Sequence, residues 1–240
     1  MSFSRLKSVL VAFSILFLGC LGTTAKLVFH DSFDRSDGSQ TEDAIGNEWT
    51  TNSAWRADGE KQAFLNDGML TITRLENANH AVSVKHNFAL SDCTVSVKFK
   101  LGEKDQLGVN FNDPELKTSH AGHVCSVRVT TNKLSVADQM NGSMNLVLRE
   151  KRQAGYTSKE LKQAIAKTEN QGAIDLQPDR WHELQFEMRG ETVRVLINSV
   201  FQLEHHSPGF GYPTKRNIAF SVPKNVTIDD FQVWDEADTR

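Results

Sequence analysis

The sequence predicts an all-β fold, a two-sheet antiparallel jelly-roll sandwich interrupted by one short helical insertion. Three observations predict it. Apolar residues recur at every second position in about eleven short segments, Gly, Asn, Asp and Pro punctuate those segments at regular spacing, and a single stretch in the second half replaces the period of two with a helical one. Successive side chains of a strand point to opposite faces, so alternation places one face in a core and leaves the other for solvent or a ligand.

The clearest strands are expected at residues 69–73, 81–85, 93–101, 107–112, 123–130, 133–137, 145–149, 181–188, 192–197, 217–222 and 226–234. Asn66-Asp67-Gly68 and Arg189-Gly190-Glu191 have hairpin-turn composition, and Asn141-Gly142 is the most specific turn signal because both residues tolerate positive φ. Thr157-Ser158-Lys159-Glu160 is a capping-box pattern opening a helix over about residues 157–170, with Leu161, Ala164 and Ile165 as its apolar stripe. That insertion is expected either to cover a sheet edge or to form a lid over a binding face. The segment 28–34 reads as a first strand with Asp at its exit, and 226–234 as a last strand with a bulge at Asp229-Asp230. Such terminal strands pair side by side in jelly rolls. Asp31, Asp34 and Asp229 would then lie near one another, either as oxygen ligands of a structural calcium ion or as turn and cap carboxylates.

Residues 1–25 have the order of a secretory signal peptide. Arg5 and Lys7 precede an apolar run at 9–18, and small residues follow up to Ala25. The run is about ten residues, half of what a membrane-crossing helix needs, and no later segment is apolar enough to span. Cleavage before Lys26 is expected, leaving one domain over 26–240 in the periplasm or outside the cell. A lipid anchor at Cys20 is the alternative, since Gly19-Cys20 resembles the end of a bacterial lipobox. Losing Arg5 and Lys7 leaves 25 basic against 30 acidic residues, a formal charge of −5. With no basic stripe, nucleic acid is excluded as the expected partner. Cys93 and Cys125 fall on core-facing positions of their strands, as a disulfide or as two buried thiols.

Candidate chemistry lies on the other sheet face. Asn110 and Asn112 oppose Val109 and Phe111; Val124, Ser126 and Arg128 oppose Cys125, Val127 and Val129; Asn145 and Arg149 oppose Leu146 and Leu148. Together they would form a face of amides, hydroxyl and guanidinium suited to sugar hydroxyls, or an ordinary solvated sheet. His120 and His123 lie three residues apart beside Asp113, a weak metal-ligand pattern. Ordinary glycoside hydrolysis needs two carboxylates roughly 5–10 Å apart. The compact Glu-x-Asp-x-x-Glu run of laminarinase-like sandwich enzymes is missing, and Glu183 and Glu187 suit an outer sheet better than a cleft.

Several motifs resemble a known family. The opening Asp31-Ser32-Phe33-Asp34-Arg35, with Trp49, Trp55 and Asn66-Asp67-Gly68-Met69-Leu70, is similar to concanavalin A-like lectin/glucanase domains. Trp181-His182-Glu183-Leu184 running through Gly190 to Val193-Arg194-Val195-Leu196-Ile197-Asn198, then Ile218-Ala219-Phe220 and Ile228-Asp229-Asp230-Phe231, resembles the 3-keto-disaccharide hydrolase family, long a domain of unknown function. Two departures stand out: Gly108-Val109-Asn110-Phe111-Asn112 occupies the place of an Asn-Ser-Gly motif followed by Arg, and Asn198-Ser199 replaces Asn-Gly. The resemblance implies a carbohydrate-active protein that cleaves 3-keto-glycosides by elimination or hydrolysis. A ketone at C3 acidifies the hydrogen at C2, so one base and one stabiliser of enolate charge suffice. His123, Asp138 or Glu150 would be the base, with Arg128 or a divalent metal holding the oxyanion. The competing expectation is a non-catalytic carbohydrate-binding or structural module.

Overall fold

Alternation builds the sheets. In the segment from Cys93, the side chains of Cys93, Val95, Val97 and Phe99 are all fully buried, while Lys98 between the last two reaches solvent. The computed structural model describes residues 25–236; the leader read at 1–25, including Cys20, lies outside the described residues but for Ala25. The elements are β1 (Lys26–Asp31), β2 (Thr50–Thr51), α1 (Ser53–Arg56), β3 (Ala63–Asn66), β4 (Met69–Thr73), β5 (Val82–Leu90), β6 (Cys93–Lys100), β7 (Leu107–Asn112), β8 (His123–Val129) and β9 (Lys133–Asp138). They continue with α2 (Leu146–Gln153), α3 (Lys159–Ala166), β10 (Glu169–Ala173), β11 (Trp181–Arg189), β12 (Thr192–Ile197), β13 (Val200–His206), β14 (Lys215–Val222) and β15 (Asn225–Asp235).

Every pairing is antiparallel. One sheet runs β13-β12-β11-β6-β15-β4-β3, with β1 also on β15; the other runs β10-β9-β8-β7-β14-β5-β2. Their facing sides form one apolar core. Phe111 of β7 meets Phe186 of β11 edge-on at 5.7 Å, and Phe220 of β14 meets Phe231 of β15 at 5.2 Å, so aromatic pairs join the two sheets. The jelly-roll sandwich is thus observed, as are the terminal-strand pairing and the register break between Asp229 and Gln232.

Two local expectations are corrected, and one pair of alternatives is decided. Residues 145–149 are not a strand: Asn145 caps α2 by accepting the Leu148 N–H at 3.3 Å, and none of the helix's residues is buried. Two apolar positions were too short a run to fix the period, and the helix-forming Glu150 to Gln153 decide it. Asn141-Gly142 turns the chain from β9 into that helix and is not a hairpin. Gly142 is needed for space, because a Cβ would collide with Thr168 Oγ1 and the Asp138 carbonyl. Cys93 and Cys125 are free buried thiols and not a disulfide; burial pushes the Cys93 thiol up to about 12 and raises that of Cys125 as well.

The expected insertion is α3, capped by Ser158, whose Oγ accepts the Leu161 N–H at 3.2 Å. It packs against β10 at the edge of its sheet. Among the described residues no helix is long and apolar enough to cross a membrane.

Candidate functional site

The outward face of the seven-stranded sheet forms a cleft of ≈ 800 Å³. Its floor comes from alternate residues of four adjacent strands: Asn110 and Asn112 of β7, Arg128 of β8, Asn217, Ala219 and Ser221 of β14, and Ser83 and Lys85 of β5. Trp55 and Arg56 of α1 form one wall, Arg149, Arg152 and Gln153 of α2 another, and the His120–His123 turn a third. Gly122, with φ +69°, makes that turn possible, since a Cβ there would overlap the Asp113 carbonyl.

The floor is polar and unsaturated. Asn110 Oδ1, Asn112 Oδ1, His123 Nδ1 and Gln139 Oε1 are buried with no hydrogen-bond partner, and so is Ser126 Oγ, beside Asn110 in register. Buried polar atoms in folded proteins are nearly always paired, and five without a protein partner lie together at or just beneath the cleft floor. Asn112 does donate through Nδ2 to Asn217 Oδ1 at 2.8 Å, which fixes both amides on the floor. Trp55 is 66% exposed at the mouth. His123 is held neutral: burial above all, then the charges of His120, Arg128 and His80, lower its pKa to about 4.

Of the candidates read from sequence, the structure brings His120, His123, Arg128, Asn110, Asn112 and Arg149 to the cleft, with Ser126 behind its floor. Others lie elsewhere. Asp138 is fully buried and accepts from Asn141 N (3.0 Å), Asn141 Nδ2 (2.8 Å), Ser207 Oγ (2.6 Å) and Gly209 N (2.9 Å), so it is a structural hub away from the cleft and cannot meet a substrate. Glu150 projects from α2 into solvent, and Asn145 spends its carbonyl oxygen on the helix cap. Val124, expected on the outer face, is fully buried.

Among the described residues Asp31, Asp34 and Asp229 do not assemble as a metal-binding group. Asp31 is surrounded by donors, from Arg35 (2.6 and 3.0 Å), Trp49 Nε1 (2.7 Å), Asn47 Nδ2 (3.0 Å) and the Phe33 N–H (2.8 Å), whereas Asp34 is exposed and Asp229 caps the Asp230 N–H. Asp113 accepts from Arg216 Nε (3.0 Å) and Tyr212 Oη (2.9 Å) and does not join His120. Among the described residues no group of three or more His, Cys, Asp or Glu side chains converges, so the donor set for a divalent metal is not assembled there.

Sequence reasoning missed Lys85, Asn217, Trp55, Arg56, Gln139 and Arg152. The parity of strands β5 and β14 would have placed Lys85 and Asn217 outward; the rest come from loops and short helices with no periodic signal.

A family model described as a 3-keto-alpha-glucoside-1,2-lyase-like domain matches residues 35–233. No curated protein sequence matches the chain. Among solved structures, the GlcNAcα1-4Gal-releasing endo-β-galactosidase of Clostridium perfringens is similar at TM-score 0.60 and 9% identity, over 90% of this chain but only 64% of the other. The laminarinase of Rhodothermus marinus gives TM-score 0.58 and 10% identity, covering 88% and 98%. A family GH16 endo-β-1,3(4)-glucanase variant that presents an oligosaccharide at its active site gives TM-score 0.58 and 9% identity, covering 88% and 94%. At such identities the likeness is one of fold.

Proposed function

The chain belongs to the 3-keto-α-glucoside-1,2-lyase-like family, and from that premise we propose that its cleft cleaves 3-keto-glycosides by elimination. One observation carries the reading: His123, a half-buried imidazole held neutral and with no partner on Nδ1, lines the cleft together with Asn110, Asn112 and Arg128. The C3 ketone makes the C2 hydrogen acidic. His123 takes that proton, the C2 electron pair delocalises onto the ketone oxygen, and Arg128 with the floor amides stabilises the charge. The electrons then form the C1–C2 double bond as the aglycone leaves from C1, and its oxygen takes a proton from the imidazolium. Among the described residues no carboxylate lines the cleft, so the paired-acid route of ordinary glycosidases has no groups there to run on. Asn110, Asn112 and Asn217 would hold the sugar hydroxyls, and Trp55 would stack on the ring at the mouth.

The leader at 1–25 supports export, with cleavage before Lys26 or acylation at Cys20; the mass of the native N-terminus distinguishes the two. The test of the chemistry is incubation of the purified protein with 3-keto-glucosides while the enone product is followed by its absorbance. His123→Ala is expected to lower the rate by about 10²-fold or more. No turnover, with or without divalent metals, overturns the lyase reading. A second reading, carbohydrate binding without catalysis, is favoured by the amide-rich floor; it predicts glycoside affinity with no product formed.

A further inference from the structure

The charge of the cleft is one-sided. Among the described residues its walls and floor carry five permanent cations, Arg56, Lys85, Arg128, Arg149 and Arg152, and three histidines, but no Asp or Glu. This is a chain with more acidic than basic residues, 30 against 27. Among the described residues none of the five cations forms an ion pair with a carboxylate. Arg56 and Arg152 are held by neutral acceptors, the Asn79 amide and the Ser143 carbonyl, while Lys85, Arg128 and Arg149 have no side-chain partner. Like charges gathered at a concave surface repel, and they are worth keeping together only where something negative enters between them.

Stabilising an enolate does not account for the set. Elimination develops one charge on one oxygen. Arg128 and Lys85 stand on β8 and β5, separated by β7 and β14, so three strand spacings put them roughly 14 Å apart. Their side chains rise from the same face at points that far apart, so between them they span more than one reacting bond. The cations are spread around the walls and floor of a cleft of ≈ 800 Å³ rather than gathered at one point.

We infer that the cleft selects an anionic glycoside, a sugar bearing a carboxylate or a sulfate ester, with the amide floor reading its hydroxyls and the cationic walls its charge. Guanidinium groups match the planar oxygen pairs of both anions. The inference rests on the carbohydrate reading of the cleft and is independent of whether elimination follows.

The test uses three disaccharides that lack a ketone and therefore cannot react: a neutral glucosyl-glucose, its counterpart with one glucuronic acid, and its counterpart with one sulfate ester. Calorimetric titration of the purified protein is expected to show at least one acidic sugar binding about tenfold or more tighter than the neutral one. That preference should shrink at high salt. It should also shrink in Arg149→Gln/Arg152→Gln, which alters only the helical wall, and in Lys85→Gln on the floor. Which acidic sugar binds better identifies carboxylate or sulfate as the source of charge. Equal affinity for neutral and acidic sugars, or a preference that survives both variants, overturns the inference. Cleavage of an uncharged 3-keto-glucoside without acidic preference would sink it while leaving the lyase reading intact; acid-selective binding without elimination would do the reverse.

Discussion

His123 and Asp138 illustrate how burial separates two residues that look alike in sequence. His123 gains no partner for its depressed basicity; burial above all, with positive neighbours at His120, Arg128 and His80, holds it neutral down to about pH 4. If it is the base, kcat/KM should be flat around neutrality and fall on the acid side with an apparent pKa near about 4. Arg128→Gln removes one of those positive charges and should move that limb upward in pH. A histidine outside the chemistry gives neither effect. The same group also couples to folding: its folded pKa lies below the free value of 6.5, so the unfolded chain binds the extra proton and stability falls as pH drops from about 6.5 to about 4. For Asp138 the prediction concerns folding alone. Its carboxylate receives four donors and sits where a Cβ on Gly209 would strike it. Asp138→Ala strands those donors and should cost about 3 kcal/mol or more in urea unfolding, while the folded fraction keeps its sugar affinity.

Helix α2 is the element on which sequence and structure part. It carries Arg149 and Arg152 to the cleft although it buries no residue, so local signals have to hold it. Asn145→Ala removes the cap and should cost about 1 kcal/mol and weaken acidic-sugar binding, whereas Asn145→Ser should restore both; equal unfolding midpoints for the wild type and Asn145→Ala would contradict this. The strands were legible where alternation ran long and one face was buried: β4, β7 and β12 have the boundaries their sequence pattern implies. The short β3 and β10 were not, because four or five residues, all polar or small in β10, carry little periodic signal. Asn110 and Asn112 could be placed outward by parity alone. His123 could not: continuing the inward positions Cys125, Val127 and Val129 back along the chain points it into the core. A register break between Phe111 and Asn112 buries Val124 and turns His123 to the cleft. Bulges reset parity, and no residue type announces this one. Trp55 and Arg56 sit on a four-residue helix, too short for any period to show.

At the scale of the molecule, the start of the described chain locks the sandwich shut. β1 pairs with β15 from Lys26↔Asp235 to Asp31↔Phe231, which joins the two ends of the fold. Asp31, at the last rung, gathers the Arg35 guanidinium, the Asn47 amide and the Trp49 indole. Trp49 in turn stacks on Phe220 of the opposite sheet at 5.4 Å. One carboxylate thereby connects the terminal pairing, the loop after it and the core between the sheets. Burial alone would raise the Asp31 carboxyl, but the hydrogen bonds from Arg35, Asn47, Phe33 and Trp49 outweigh it and hold the group below the usual carboxylate range. The sign follows from proton uptake. Because the folded pKa is depressed, the unfolded state takes up the proton first as pH falls. The stability Asp31 contributes is therefore complete above the ordinary carboxylate pKa and is lost as pH drops through the folded value. Asp31→Asn keeps the shape and removes the charge. At neutral pH it should lower the urea midpoint by an amount worth about 2 kcal/mol, the scale of charge-assisted hydrogen bonds. As pH falls below the ordinary carboxylate pKa the gap between variant and wild type should narrow, since protonation of Asp31 removes what the variant already lacks. Urea midpoints for both proteins at neutral pH and at about pH 3, near where carboxylates titrate, check this, and a gap that stays constant across that range would show that the Asp31 charge is not what ties the two ends together.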